Sequence, residues 1–138
     1  MQAGGGDGLS ARIEQMQELA DFIHNLNIPE DEPLLMGGDF NTGNSSDSIS
    51  TLLSTLQVSL PNNTGYPYSS DSNINTMSTG SGHTRIDYVF YNNLHAVPKT
   101  TFNKVFILRD LENEKMWPKF DLSDHFPVAS YFDFSAQK

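Results

Sequence analysis

A short apolar run, Pro33-Leu34-Leu35-Met36, leads directly into Gly37-Gly38-Asp39-Phe40-Asn41 and then into the turn residues Thr42-Gly43-Asn44-Ser45. An apolar run bounded by turn chemistry reads as a buried strand, so an acid and an amide stand at a strand end. Two later fragments share this character. Arg85-Ile86-Asp87-Tyr88-Val89-Phe90 sets an acid inside a strand, and Ser123-Asp124-His125-Phe126-Pro127-Val128 opens the last strand with an acid and a histidine. Taken singly, each reads as turn or strand-end chemistry, the usual place for Asp and Asn. Three in order are a constellation, and a fold that brings their strand ends together is the main constraint on the chain.

A length of 138 residues suits one domain with a real core, and residues 1–138 are read as a single domain. Eight Lys and Arg against seventeen Asp and Glu leave a net charge of −9. No diffuse basic surface is offered to a polyanion, which makes nucleic acid the less favoured partner; a divalent cation would reverse the sign locally. Without cysteine there are no disulfides or thiolate metal sites within the chain. Apolar runs are far too short for a membrane span and no signal-peptide pattern precedes them, so the chain is expected to be soluble.

Met1 to Gly8 is glycine-rich and reads as an exposed loop. Ile13, Met16, Leu19, Ala20, Ile23 and Leu26 then recur at three- and four-residue steps, with Ser10 as N-cap, which predicts an amphipathic helix ending near Asn25 to Asn27. His24 beside its apolar stripe is expected to be solvated or capping rather than a ligand. A second helix is expected from Asp47, burying Ile49, Leu52, Leu53 and Leu56. Residues 61–82, dominated by Ser, Thr, Asn, Gly and Pro, form a long loop, either functional or mobile. Strands are expected over Arg85 to Tyr91, Lys104 to Leu108 and Phe126 to Phe134. Helices alternating with strands early, and strands dominating late, argue an α+β sandwich with helices covering a sheet face.

If the strand ends converge, Asp39, Asn41, Asp87, Asp124 and His125 supply much of what phosphodiester hydrolysis needs. A hard cation would be held by oxygen donors to neutralise a phosphate oxygen. His125 could take a proton from water while a carboxylate, Asp87 or Asp124, held its other nitrogen. Asn41 could donate to a phosphate oxygen or lend its own oxygen to a metal.

Gly-Asp-Phe-Asn at 38 to 41, Arg-Ile-Asp-Tyr-Val-Phe at 85 to 90 and Ser-Asp-His-Phe-Pro-Val at 123 to 128, in that order, resemble the C-terminal motifs of the endonuclease/exonuclease/phosphatase superfamily, with its metal-dependent deoxyribonuclease I-like fold. Within it the chain is most similar to the secreted bacterial sphingomyelinases, through the Ala11 to Asn25 helix, the Asn27-Ile28-Pro29 turn and the Gly-Gly-Asp strand end. The resemblance implies that this single domain is partial, the C-terminal half of a two-sheet α/β sandwich, mostly antiparallel. It implies Mg²⁺-dependent hydrolysis of sphingomyelin to ceramide and phosphocholine, with metal-activated water as nucleophile. Asp39 and Asn41 would contact phosphate and metal-bound water, His125 would be the general base, Asp87 would orient it, and Asp124 would stand near the metal. The ligand set implied is Asp39, Asn41, Asp124 and His125. Arg85 receives no chemistry, and a structural ion pair is expected for it.

The same resemblance implies that a first half supplies a metal-binding glutamate, an asparagine and a second histidine, none of which residues 1–36 replace. The absent N-terminal half is therefore an expected partner, and one face of this chain's sheet is expected to be built for covering. Trp117 and Phe120, in Met116-Trp117-Pro118-Lys119-Phe120, correspond by the resemblance to a longer aromatic-tipped hairpin that meets membrane; the two readings left open are contact with a phospholipid surface there and a place for Trp117 in the core. The implied location is extracellular. The competing expectations are a catalytically silent interaction module with the back half of the fold, and a nuclease of the same superfamily.

Overall fold

A computed structural model describes residues 1, 8–44, 46–109 and 121–135, and within them two helices and seven strands. Helix α1 (Gly8–Asn25) and helix α2 (Ser46–Leu56) flank strand β1 (Leu35–Asp39) in sequence. Strands β2 (Val58–Ser59), β3 (Ser70–Asp71), β4 (His83–Thr84), β5 (Asp87–Asn92), β6 (Thr100–Val105) and β7 (Val128–Asp133) follow. All named pairings are antiparallel: β1-β5-β2 form one sheet, while β3-β4 and β6-β7 form two-stranded ladders. This is the expected α+β arrangement.

The core lies between the helices and one face of the β1-β5 pair. Met36 and Gly38 of β1 oppose Phe90 and Tyr88 of β5 on that face, where Met16 from α1 and Leu52 and Leu56 from α2 bury against Phe40, Tyr88 and Phe90. Side chains alternate across a strand, so Leu35, Gly37 and Asp39 share the opposite face with their partners Tyr91, Val89 and Asp87. Helices cover one side of the sheet, and the residues with chemistry point to the other. Within the described residues no helix is long and apolar enough to cross a membrane.

Several boundaries differ from expectation for tertiary reasons. Helix α1 begins at Gly8 rather than with Ser10 as its cap, because the glycine is itself buried at the helix start. Pairing with β7 sets β6 at Thr100–Val105, ahead of the apolar run to Leu108; Ile107 and Leu108 are exposed. The 61–82 loop carries β3 and one strand of register with β4 beyond it, short ladders without an apolar pattern. Arg85 makes no ion pair among the described residues. It is 5% exposed, its Nε and Nη2 lack hydrogen-bond partners, and its guanidinium lies 5.2 Å from the Tyr88 ring centre. Cation–π attraction stands where charge pairing was expected, and burial lowers the guanidinium's pKa.

Candidate active site

Register delivers two carboxylates to one edge of the sheet. Asp39, last in β1, is the antiparallel partner of Asp87, first in β5. The buried Tyr88 hydroxyl, 2.8 Å from the carbonyl oxygen of Thr42 and 2.6 Å from that of Arg85, joins the loop leaving β1 to the entrance of β5. Burial pushes that phenol up to about 12, so it remains a donor across the physiological range.

His125 reaches the same edge from the loop before β7. Its Nδ1 stands 2.9 Å from Asp87 Oδ2, the imidazole 28% and the carboxylate 20% exposed. Of the two carboxylates considered, Asp87 is the one within hydrogen-bond distance of the imidazole. One ligand atom each from Asp39, Asp87 and His125 lies within 4.8 Å of the others. Burial raises the pKa of Asp87 and the negative Asp39 adds to this, against the Ser69 hydroxyl and His125, which favour the ionised form.

Asn41 has left-handed backbone, φ 47°, which Asn tolerates better than most residues. This conformation folds the loop back, so its own N–H donates to Asp39 Oδ1 at 2.7 Å and its Nδ2 donates to Asp39 Oδ2 at 3.2 Å and to Met1 O at 2.7 Å. The main-chain nitrogen of Met1 donates to Asp39 O at 2.7 Å. Asp39 and Asn41 thus form a locked pair beside the Asp87–His125 pair. Asp124 lies outside the cluster: it is exposed and accepts the Ser123 hydroxyl at 3.3 Å. Exposed His24 stands in the last turn of α1, apart from this edge. Trp117 and Phe120 lie outside the described residues.

A cavity of about 560 Å³ opens from Asp87 and His125 along the sheet face, floored by Gly37, Gly38 and Val89 and walled by Leu108, Leu122 and Pro127. It is charged at one end and apolar along its length. Two oxygen-donor carboxylates beside one imidazole suit a hard divalent cation such as Mg²⁺. Sequence reasoning placed no site residue in 61–82, yet Ser69 bonds the Asp87 amide, Asn75 the Ser123 carbonyl and Thr76 the Asp121 carboxylate; their small polar side chains carry no pattern that marks them out.

The Endonuclease/Exonuclease/phosphatase family model matches residues 3–125. Sphingomyelinase C of Listeria ivanovii is 36% identical over 88% of this chain and 39% of its own length. Beta toxin from Staphylococcus aureus superposes with a TM-score of 0.82 at 28% identity, covering 96% of this chain and 48% of that one. A variant of that toxin with bound magnesium ions gives 0.81 at 28% identity, over 94% and 48%. The chain thus spans two fifths to one half of these relatives. With three motifs in order on one sheet edge, and a family model running from the start of the chain to His125, this chain belongs to the Endonuclease/Exonuclease/phosphatase family.

Proposed function

We propose that the chain is the C-terminal part of a Mg²⁺-dependent phosphodiesterase that hydrolyses sphingomyelin to ceramide and phosphocholine. The observation that carries this reading is the Asp87–His125 pair, 2.9 Å apart, within 4.8 Å of the Asp39 carboxylate. Asp87 holds the Nδ1 side of the imidazole and leaves Nε2 to accept a proton from water. A ring nitrogen engaged with Asp87 cannot also bind a metal, and Nε2 cannot both coordinate and act as base. His125 is therefore assigned the base, and the cation falls to Asp39 with Asn41 Oδ1. When bound, Mg²⁺ would neutralise charge on a phosphate oxygen. Asp124 is left as an outlying charge near the cation. Sphingomyelinase C and beta toxin relatives favour a phospholipid over a nucleic acid, as does the net charge of −9. The partner proposed is the first half of the domain, lying over the open sheet face.

The test is phosphocholine release from sphingomyelin vesicles, with and without Mg²⁺, by this chain alone and mixed with a separately produced first half of the Listeria ivanovii sphingomyelinase C. His125→Ala should cost the mixture about 100-fold or more in turnover, as expected for loss of a general base. Full turnover by the His125→Ala mixture, or none by the wild-type mixture with Mg²⁺, defeats the reading.

A further inference from the structure

Ser69 is 0% exposed and, through different atoms, bonds the backbone of Asp87 and the peptide bond that follows His125. Its Oγ accepts the N–H of Ile86 at 3.1 Å and of Asp87 at 3.0 Å. Its carbonyl oxygen accepts the N–H of Phe126 at 2.6 Å, pinning the peptide bond that leaves His125. A hydroxyl accepting two amides still has a proton to give, and the Ser69 hydroxyl favours the ionised form of the neighbouring Asp87 carboxylate. The neighbouring loop reinforces the contact. Asn75 Nδ2 donates to Ser123 O at 2.9 Å, and the buried Asp121 accepts the Thr76 N–H and hydroxyl at 2.7 and 2.8 Å. Segment 69–76 therefore clasps segment 121–126 at three points.

We propose that Ser69 is a positioning residue, holding the Asp87 carboxylate and the His125 backbone at the separation that keeps the imidazole proton on Nδ1. An ionised carboxylate only accepts, so the 2.9 Å contact requires that tautomer, and which nitrogen is protonated follows from the hydrogen bond the other ring face makes. Loss of the hydroxyl removes the group that favours ionised Asp87 and leaves the part-buried Ile86 and Asp87 amides short of an acceptor. The carboxylate is then free to turn, and the ring relaxes towards Nε2–H, the tautomer favoured in water and the one unable to accept a proton at the catalytic face. The catalytic meaning rests on the phosphodiesterase reading; the positioning itself does not.

The experiment is long-range ¹H–¹⁵N NMR of the chain at about pH 8.5, above the ordinary histidine range near 6.5. Wild type should have His125 as Nδ1–H, Ser69→Ala should move it mainly to Nε2–H, and Ser69→Thr, which keeps the hydroxyl, should restore Nδ1–H. Ser69→Cys, a similar volume with a weak donor, should shift in the direction of Ser69→Ala and decides the matter should the alanine variant not fold. In the complemented enzyme kcat should fall on the order of 10- to 100-fold at unchanged KM, as for other outer hydrogen-bond partners of a site. Nδ1–H retained in a folded Ser69→Ala or Ser69→Cys chain, or absent from wild type, overturns the proposal whatever the turnover. A wild-type mixture without turnover defeats the phosphodiesterase reading and leaves the tautomer result standing.

Discussion

At Asp87 function and stability pull in opposite directions. Burial raises this carboxyl above its ordinary value of 3.8, so the folded chain binds its proton more readily than the unfolded chain does. The stability it lends is complete below the ordinary value and is withdrawn as pH rises through the folded value. Above the folded value the ionised side chain is thus a net cost, and on the proposed reading it serves as the charged acceptor facing His125 Nδ1. Asp87→Asn keeps the shape and removes the ionisation. Its thermal midpoint should exceed that of wild type at about pH 7, with the difference closing as pH falls towards 3.8, while turnover of the complemented enzyme collapses. A variant less stable than wild type at neutral pH would show that the hydrogen bond to His125 outweighs the burial of charge.

Among the elements, the 61–82 loop was the least legible from sequence. The α1 stripe and the runs in β1, β5 and β7 announce themselves because their apolar residues sit at local spacings. Ser69, Asn75 and Asp121 act through partners 17 to 48 residues away, and short polar side chains have no period to reveal that. Asp124 adjoins His125 in sequence, but neighbours in a bend need not share a direction, and the grouping of Asp39, Asp87 and His125 forms without it. Arg85 misled because its partner is a ring rather than an acid. The loop's anchor is testable. Burial works against the charge of Asp121, yet the Thr76 and Arg109 donors outweigh it and lower its pKa, so its support is present above the ordinary value of 3.8 and is lost as pH falls through the folded value. Asp121→Ala removes the charged acceptor of the Thr76 N–H, a loss of about 1.5–3 kcal/mol. Hydrogen exchange at Thr76 and its neighbours should quicken by about tenfold or more, since about 1.4 kcal/mol is a factor of ten, with the Phe90 amide less affected. Equal acceleration at both sites would make Asp121 a global strut instead of a loop anchor.

For the whole molecule, the contrast between the two faces of the β1-β5 pair is the decisive feature. The helix face is closed by Met16, Leu52 and Leu56; the other presents Val89 and Gly37 as the floor of the 560 Å³ cavity, with Leu108 at 48% and Leu122 at 65% exposure around it, and Leu35 at 43% exposure further along the same face. Apolar surface gathered beside an acidic cluster marks an interaction site, and the chain spans 48% of the beta toxin structure it superposes on. If a first half lies on this face, the open cavity should bind an environment-sensitive apolar dye such as anilinonaphthalene sulfonate, and the complementing half should displace it while forming a one-to-one complex. Val89→Lys puts an unpaired cation at the centre of the buried floor. Burying it costs more than about 1.4 kcal/mol, so association should weaken at least tenfold while α1 and α2, on the far side of the sheet, keep their circular dichroism. Dye fluorescence unchanged by the complementing half, or Val89→Lys binding that half as wild type does, would move the partner to another surface and leave the active-site pair to be completed from elsewhere.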